Sequence, residues 1–152
     1  MSAEARDSVP FFQRRERLRR RLSKDGLAGM LITKTENVRY LTGFGGDDSY
    51  LLLWKDHEIL ISDSRFTEQI RQECPGLEAH IRRTGVSMHQ AAANLINRAK
   101  LTSVAVEASL PMATYKKLKA ALKQTELVEA EDWIDQLRAV KDKTEIARIR
   151  KA

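Results

Sequence analysis

The sequence predicts an α/β domain, a mixed β-sheet flanked by helices, and three observations carry that prediction. An arginine-rich helical pattern over residues 12–24 runs straight into GLAGMLIT, an apolar stretch of strand length. Two further apolar runs, SYLLLW and EILIS, are separated only by Lys55, Asp56 and His57, which reads as a β-hairpin with a short polar turn. Beyond residue 76, helical and strand-like patterns alternate to the end of the chain. Helices that lead into buried strands belong to layered α/β architectures, because each element must bury its apolar face against another.

The chain has 152 residues, the size of one ordinary domain, with 42% hydrophobic and 32% charged residues. No apolar run approaches the ~20 residues that span a bilayer. The net charge of +6 favours acidic partners in a general way, yet the basic residues form no recognisable nucleic-acid reading motif. Cys74 is the only cysteine, which excludes an internal disulfide and fits a reducing compartment. The first residues lack a signal-peptide apolar core, and Glu4 and Asp7 argue against an Arg-rich transit peptide. The expected location is the cytoplasm.

In order along the chain, residues 1–11 are expected to form a flexible tail. In the following helix Phe11, Leu18 and Leu22 mark one apolar face, and Gly26 sits where a helix should end. Arg14, Arg15, Arg17, Arg19, Arg20 and Arg21 fill the rest of that helix and read as a solvated face. The competing reading is a nucleic-acid or membrane-surface helix. Residues 27–33 are apolar enough to be a strand covered on both sides. Residues 37–41 read as a second, short strand, after which Gly43, Gly45 and Gly46 permit an irregular turn. The sharp alternative for those glycines, a phosphate cradle, is disfavoured, since no GxxxxGK[ST] is present and no glycine turn opens directly into a helix.

After the hairpin, Asp63 or Ser64 can cap a helix through Phe66, Ile70 and Cys74, which Pro75-Gly76 terminates. A strand over 77–81, a helix over 87–99 and a strand over 103–108 follow. Ser109 and Pro111 then open a helix that continues through Leu122. Residues 126–128 read as a short edge strand and 132–140 as a helix. The last segment, KDKTEIARIRKA, has a helical pattern but few apolar residues to pack, so the polypeptide is expected to continue.

Nucleophilic and metal chemistry find little support. His57, His80 and His89 form no HExxH or other ligand cluster. Ser62, Ser64 and Ser87 lack a GxSxG setting, and Cys74 has no histidine near it in sequence, which favours a structural thiol. Asp47 and Asp48 could act as a carboxylate pair, although neighbours in an extended segment point apart.

Three motifs in order resemble the N-terminal domain of the creatinase, prolidase and aminopeptidase P family. ENVRYLTGF supplies Glu36, Asn37, Tyr40, Leu41, Thr42, Gly43 and Phe44 of an ENxxYLTGF pattern. DSRF supplies Asp63 and Arg65 of an Asp-x-Arg-Tyr pattern, with Phe66 in place of tyrosine. Near the end, Arg138, Lys141, Glu145 and Ile146 match R-x-x-K-x-x-x-E-I. The resemblance implies a ribonuclease-H-like three-layer domain over 12–140 and the start of a linker helix over 141–152. It implies no cofactor in this chain. Two divalent metals (Mn, Co or Zn) are expected in a C-terminal catalytic domain outside this sequence.

The implied role is that of the non-catalytic domain of a metal-dependent Xaa-Pro peptidase, shaping the cleft mouth, restricting substrate length and supporting a homodimer. Implied partners are the chain's own catalytic domain and short proline-containing peptides, with no membrane, and nucleic acid is not the expected partner. The candidate mouth residues are Asp47 and Asp48 for a substrate amine and Arg39 and Arg65 for a carboxylate. For Arg65 the alternative is a local bond to Asp63 or backbone. Tyr40 and Phe44 read as core or interface. Two other functions stay open: a protein-binding module of a pseudo-peptidase, and a nucleic-acid domain using the helix that carries Arg14 and Arg21.

Overall fold

A computed structural model describes residues 3–152, of which residues 3–8 are described by their helical backbone alone. The first helix, α1 (Ala3–Lys24), begins well before residue 12, so the expected tail is helical from Ala3 onward, with Pro10 inside the helix. It is followed by β1 (Gly29–Ile32), α2 (Thr35–Thr42), β2 (Tyr50–Trp54), β3 (His57–Ser62) and a 3-10 turn (Ser64–Phe66). Next come α3 (Thr67–Glu73), β4 (Ala79–Ile81), α4 (Met88–Arg98), β5 (Ser103–Glu107) and α5 (Met112–Ala121). The chain closes with β6 (Glu126–Ala130), α6 (Trp133–Ala139) and α7 (Lys143–Lys151).

The six strands form one mixed sheet in the order β4-β3-β2-β1-β5-β6. Only β2 runs against the others: β1 pairs with it antiparallel, it pairs antiparallel with β3, and the remaining pairs are parallel. The carboxyl ends of β1, β3, β4, β5 and β6 therefore share one edge, where ligand crevices of open α/β sheets lie.

Alternation along the strands divides the interior into two apolar layers. Met30, Ile32, Leu51, Leu53, Leu60 and Ala105 face α1, α2, α3 and α6, meeting Leu18, Leu22, Leu41, Ile70 and Ile134. Their neighbours Leu31, Leu52, Ile59, Ile61, Val104 and Val106 face α4 and α5, meeting Ala91, Ala92, Ile96 and Leu118. β1 lies mid-sheet and is buried at every position, as its unbroken apolar run requires.

One predicted element has the wrong type. Residues 37–41, expected as a strand, lie in α2, with Asn37, Val38, Tyr40, Leu41 and Thr42 buried. Five residues are too few to separate a two-residue from a 3.6-residue period, and the start signal is supplied from elsewhere in the chain. α2 ends at Gly43, whose φ of +80° places it in the left-handed region that favours glycine as a helix stop.

Candidate functional site

The loop between Phe44 and Ser49 lies at the carboxyl edge of the sheet, between α2 and the first residue of β2. Its path is set by packing rather than by glycine freedom alone. A Cβ on Gly46 would stand 2.3 Å from Phe44 Cζ and 3.0 Å from Phe66 Cδ1, so the backbone lies flat against both rings. Phe44 and Phe66 meet edge to face, with centroids 5.6 Å apart. On the opposite side, Glu73 Oε2 accepts a hydrogen bond from Gly45 N at 2.7 Å, and Arg39 Nη2 donates to Gly45 O at 3.1 Å.

Asp63 anchors the neighbouring turn. Its carboxylate accepts from Arg65 N at 3.0 Å, as the helix-cap reading expects, and from Arg65 Nε and Nη2 at 2.9 and 2.8 Å. The Arg65 guanidinium bonded to it holds the Asp63 carboxyl down at about 2. Burial opposes this, and Arg82, with Nη2 3.7 Å from Oδ2, assists it. The same Arg65 also donates through Nη2 to Asp48 Oδ2 at 3.2 Å and lies over the Phe66 ring. Its own pKa is raised further by Asp63 and Asp48.

The four predicted mouth residues thus divide. Arg65 and Asp48 are brought together, but Arg65 is already committed to Asp63, in line with the local alternative for that residue. Arg39 and Asp47 are exposed. Arg39 spends one bond on the loop backbone, and no hydrogen bond or ion pair to the Asp47 carboxylate occurs among the described residues. Tyr40 and Phe44 are buried, as expected of core groups.

Three polar groups escaped the sequence reading. Glu107 is buried at the end of β5 and accepts bonds from the segment leading into α2. Glu58 on β3 gathers Arg15 and Arg19 of α1, with Arg15 Nη2 3.3 Å away and Arg19 in direct contact. Arg14 is buried against Asp142. The arginine helix is therefore not a uniformly solvated face: Arg14, Arg15 and Arg19 turn inward to carboxylates. No local signal could have marked these, since their partners lie far along the chain.

Among the described residues, no group of three or more His, Cys, Asp and Glu could hold a metal ion. His57 stacks on Trp54, and His89 Nε2 lies 3.1 Å from Ser87 Oγ. These residues do not fit a two-metal centre, and no reaction step is assigned to them. Cys74 is buried, its thiol donating to Thr42 O at 3.4 Å, and burial pushes its pKa up to about 11, the opposite of a nucleophile. No helix among the described residues is long and apolar enough to cross a membrane.

Comparison with known proteins gives these features a context. The family described as Creatinase/Prolidase N-terminal domain matches residues 14–140. An uncharacterised peptidase of Bacillus subtilis, YqhT, is 33% identical over 138 residues, covering 90% of this chain and 38% of that protein. The crystal structure of the N-terminal domain of the cytoplasmic peptidase PepQ from Mycobacterium tuberculosis superposes with a TM-score of 0.77 at 31% identity. That match covers 83% of this chain and 98% of the other. An X-Pro aminopeptidase from Thermotoga maritima superposes with a TM-score of 0.80 at 27% identity, covering 91% of this chain and 39% of its own. The chain thus spans well under half the length of YqhT and of the Thermotoga enzyme.

Proposed function

Because this chain belongs to the creatinase/prolidase N-terminal domain family, we propose that it serves as the non-catalytic domain of an Xaa-Pro peptidase, forming part of the mouth of the catalytic cleft. The catalytic partner would be the C-terminal domain of the same polypeptide, carrying the two divalent metals, and short proline-containing peptides would be the substrates. Support comes from the neighbours, several of which are described as Xaa-Pro peptidases, and from the loop at the carboxyl edge of the sheet.

The single observation that carries the reading is the pairing of a packed loop with exposed charge. Phe44, Phe66 and Glu73 hold the backbone, while Asp47 and Arg39 remain exposed at its surface. An exposed carboxylate on a held backbone suits a peptide amine, and an exposed guanidinium suits a carboxylate. Asp48 and Arg65 take a different part from the one the sequence suggested: they brace the loop against Asp63. A wall of this kind restricts substrate length by excluding longer chains and admits short ones by their termini. Support of a homodimer belongs to the same proposal.

The test is Asp47→Ala and Arg39→Ala in the full-length enzyme, assayed on peptides with free and blocked termini. A lower kcat/KM confined to free-amine substrates for Asp47→Ala supports the role. An unchanged kcat/KM for both variants on every substrate removes it.

The alternative, nucleic-acid binding through the arginine helix, would have fewer free cations than the sequence suggests, because Arg14, Arg15 and Arg19 are held by Asp142, Glu58 and Glu16, which leaves Arg17, Arg20 and Arg21 outside those pairs. Affinity for nucleic acid that falls steeply with salt would favour this alternative, and no binding at low salt would dispose of it.

A further inference from the structure

The passage from α6 into α7 is gripped by side chains of α1 and α2. Arg14 is 6% exposed, and its Nε and Nη2 donate to Asp142 Oδ2 at 2.8 and 2.6 Å. Its remaining nitrogen, Nη1, donates to Tyr40 O at 2.9 Å. The guanidinium lies 4.3 Å from the Tyr40 ring centroid and 5.2 Å from that of Phe11. Tyr40 reaches the same passage with its hydroxyl, donating to Leu137 O at 3.2 Å, and Arg138 Nη1 donates to Asn37 Oδ1 at 3.2 Å.

Asp142 is also the cap of α7. Its Oδ1 accepts from Glu145 N at 2.9 Å, and Glu145 Oε2 accepts from Asp142 N at 3.0 Å, completing a capping box. Burial works against ionisation of Asp142, but the Glu145 N–H, the Arg14 guanidinium and the Thr144 N–H together hold its pKa below the usual carboxylate range. Past this first turn α7 has almost no packing. None of its residues is buried, and Ile146 and Ile149 are 38% and 61% exposed. Among the described residues, apolar contact therefore does not set the attitude of this helix.

We infer that Arg14 is a positioning residue which fixes the direction in which α7 leaves the domain. A buried ion pair contributes little net stability, because desolvation offsets most of the attraction. What it supplies is geometry. A planar guanidinium with three nitrogens on two separate acceptors, clamped between rings, admits one orientation of Asp142, and Asp142 dictates the first turn of α7. Lysine, a single ammonium on a flexible stem, cannot reproduce that arrangement.

Tyr40 links the mount to the candidate mouth. It stands in α2, whose end at Gly43 opens into the loop over 44–49, so the same helix carries the loop at one end and grips α7 alongside. The consequence rests on the proposed function: any domain that follows α7 is posed relative to this loop through Arg14. The geometry itself does not depend on that reading.

The test uses the chain itself, weakly aligned in solution, with amide residual dipolar couplings measured across the sheet and along α7. Three variants are compared: Asp142→Asn, which keeps a helix cap but removes the charge; Arg14→Lys; and Arg14→Met with Asp142→Leu. In the unsubstituted chain, the couplings of Lys143 to Lys151 fit the alignment of the sheet. In each variant the sheet couplings persist while those of α7 lose most of their amplitude, and the carbon shifts of Asp142→Asn remain helical.

Retention of full α7 amplitude in the Arg14 variants would overturn the inference, as would averaged α7 couplings in the unsubstituted chain. Loss of the sheet signals in all three variants would also overturn it, since Arg14 would then serve the fold instead of the direction. No peptide assay enters, so failure here is distinguishable from failure of the proposed function.

Discussion

Glu107 Oε1 accepts a hydrogen bond from Asn37 Nδ2 at 2.6 Å across 70 residues of sequence. Its Oε2 accepts from Thr33 N at 2.7 Å and Lys34 N at 2.9 Å. α2 has no side-chain cap of its own, since Lys34 at the cap position makes no such bond. The carboxylate at the end of β5 therefore holds the segment just ahead of α2 and the Asn37 side chain of its first turn, placing negative charge near the amino end of the helix. Glu107→Ala leaves the buried Asn37 amide and the half-buried N–H groups of Thr33 and Lys34 without their acceptor and is expected to cost about 1.5–3 kcal/mol, read from urea denaturation. A loss within ~0.5 kcal/mol, the range of ordinary surface substitutions, would contradict this role.

Acid should weaken the molecule through Asp63. Its folded pKa, about 2, lies below the ordinary carboxylate value of ~3.9. Between those values the unfolded chain binds more protons than the folded one, so stability rises with pH there. The contribution is complete above the ordinary value and disappears as pH falls toward 2. Asp142 is lowered too and adds in the same direction. Chemical denaturation across this range should show a slope that Asp63→Asn reduces; an equal slope in the variant would count against the Arg65 clamp.

Cys74 should be chemically quiet. A thiol 6% exposed, with its pKa pushed up to about 11, presents neither access nor thiolate at neutral pH. A thiol-reactive disulfide reagent should modify it only after unfolding, on the timescale at which the chain opens. Complete modification within the mixing time of a native sample would show that α3 and α1 open far more readily than their packing indicates.

Gly46→Ala tests the rigidity of the loop. The added methyl meets Phe44 Cζ at 2.3 Å and Cε1 at 2.8 Å, and the ring is itself buried in the core. Neither the ring nor the backbone can yield freely, so a cost of ~1–3 kcal/mol is expected in thermal or urea unfolding. Unchanged stability would mean that the loop moves independently of Phe44.

Local pattern was sufficient wherever a segment carries its own signal. β1 announces itself by its unbroken apolar run, and the hairpin by its short polar connection, although His57, expected in the turn, already pairs with Trp54 and leaves only Lys55 and Asp56 between the strands. The Asp63 cap on Arg65 N is as expected, but it opens a 3-10 turn over Ser64–Phe66 before α3 begins at Thr67. Local pattern failed where the deciding partner is remote. α2 carries no start signal in its own residues, because the carboxylate that holds its beginning, Glu107, lies 70 residues beyond Asn37. Helical spacing groups Arg14 with the solvated arginines and says nothing of Asp142, 128 residues away. The candidate mouth was half legible for the same reason: the acids and arginines were visible in sequence, but not that Asp63 had already claimed Arg65.

The most direct test of the account is a substrate-length ladder in the full-length enzyme. Peptides of two to ten residues with proline in second position would be compared, with the loop 44–49 intact and shortened. The account predicts that shortening the loop raises kcat/KM for the longest peptides relative to the shortest by ~10-fold or more, the scale of a removed steric barrier. An identical length profile for both proteins would contradict it.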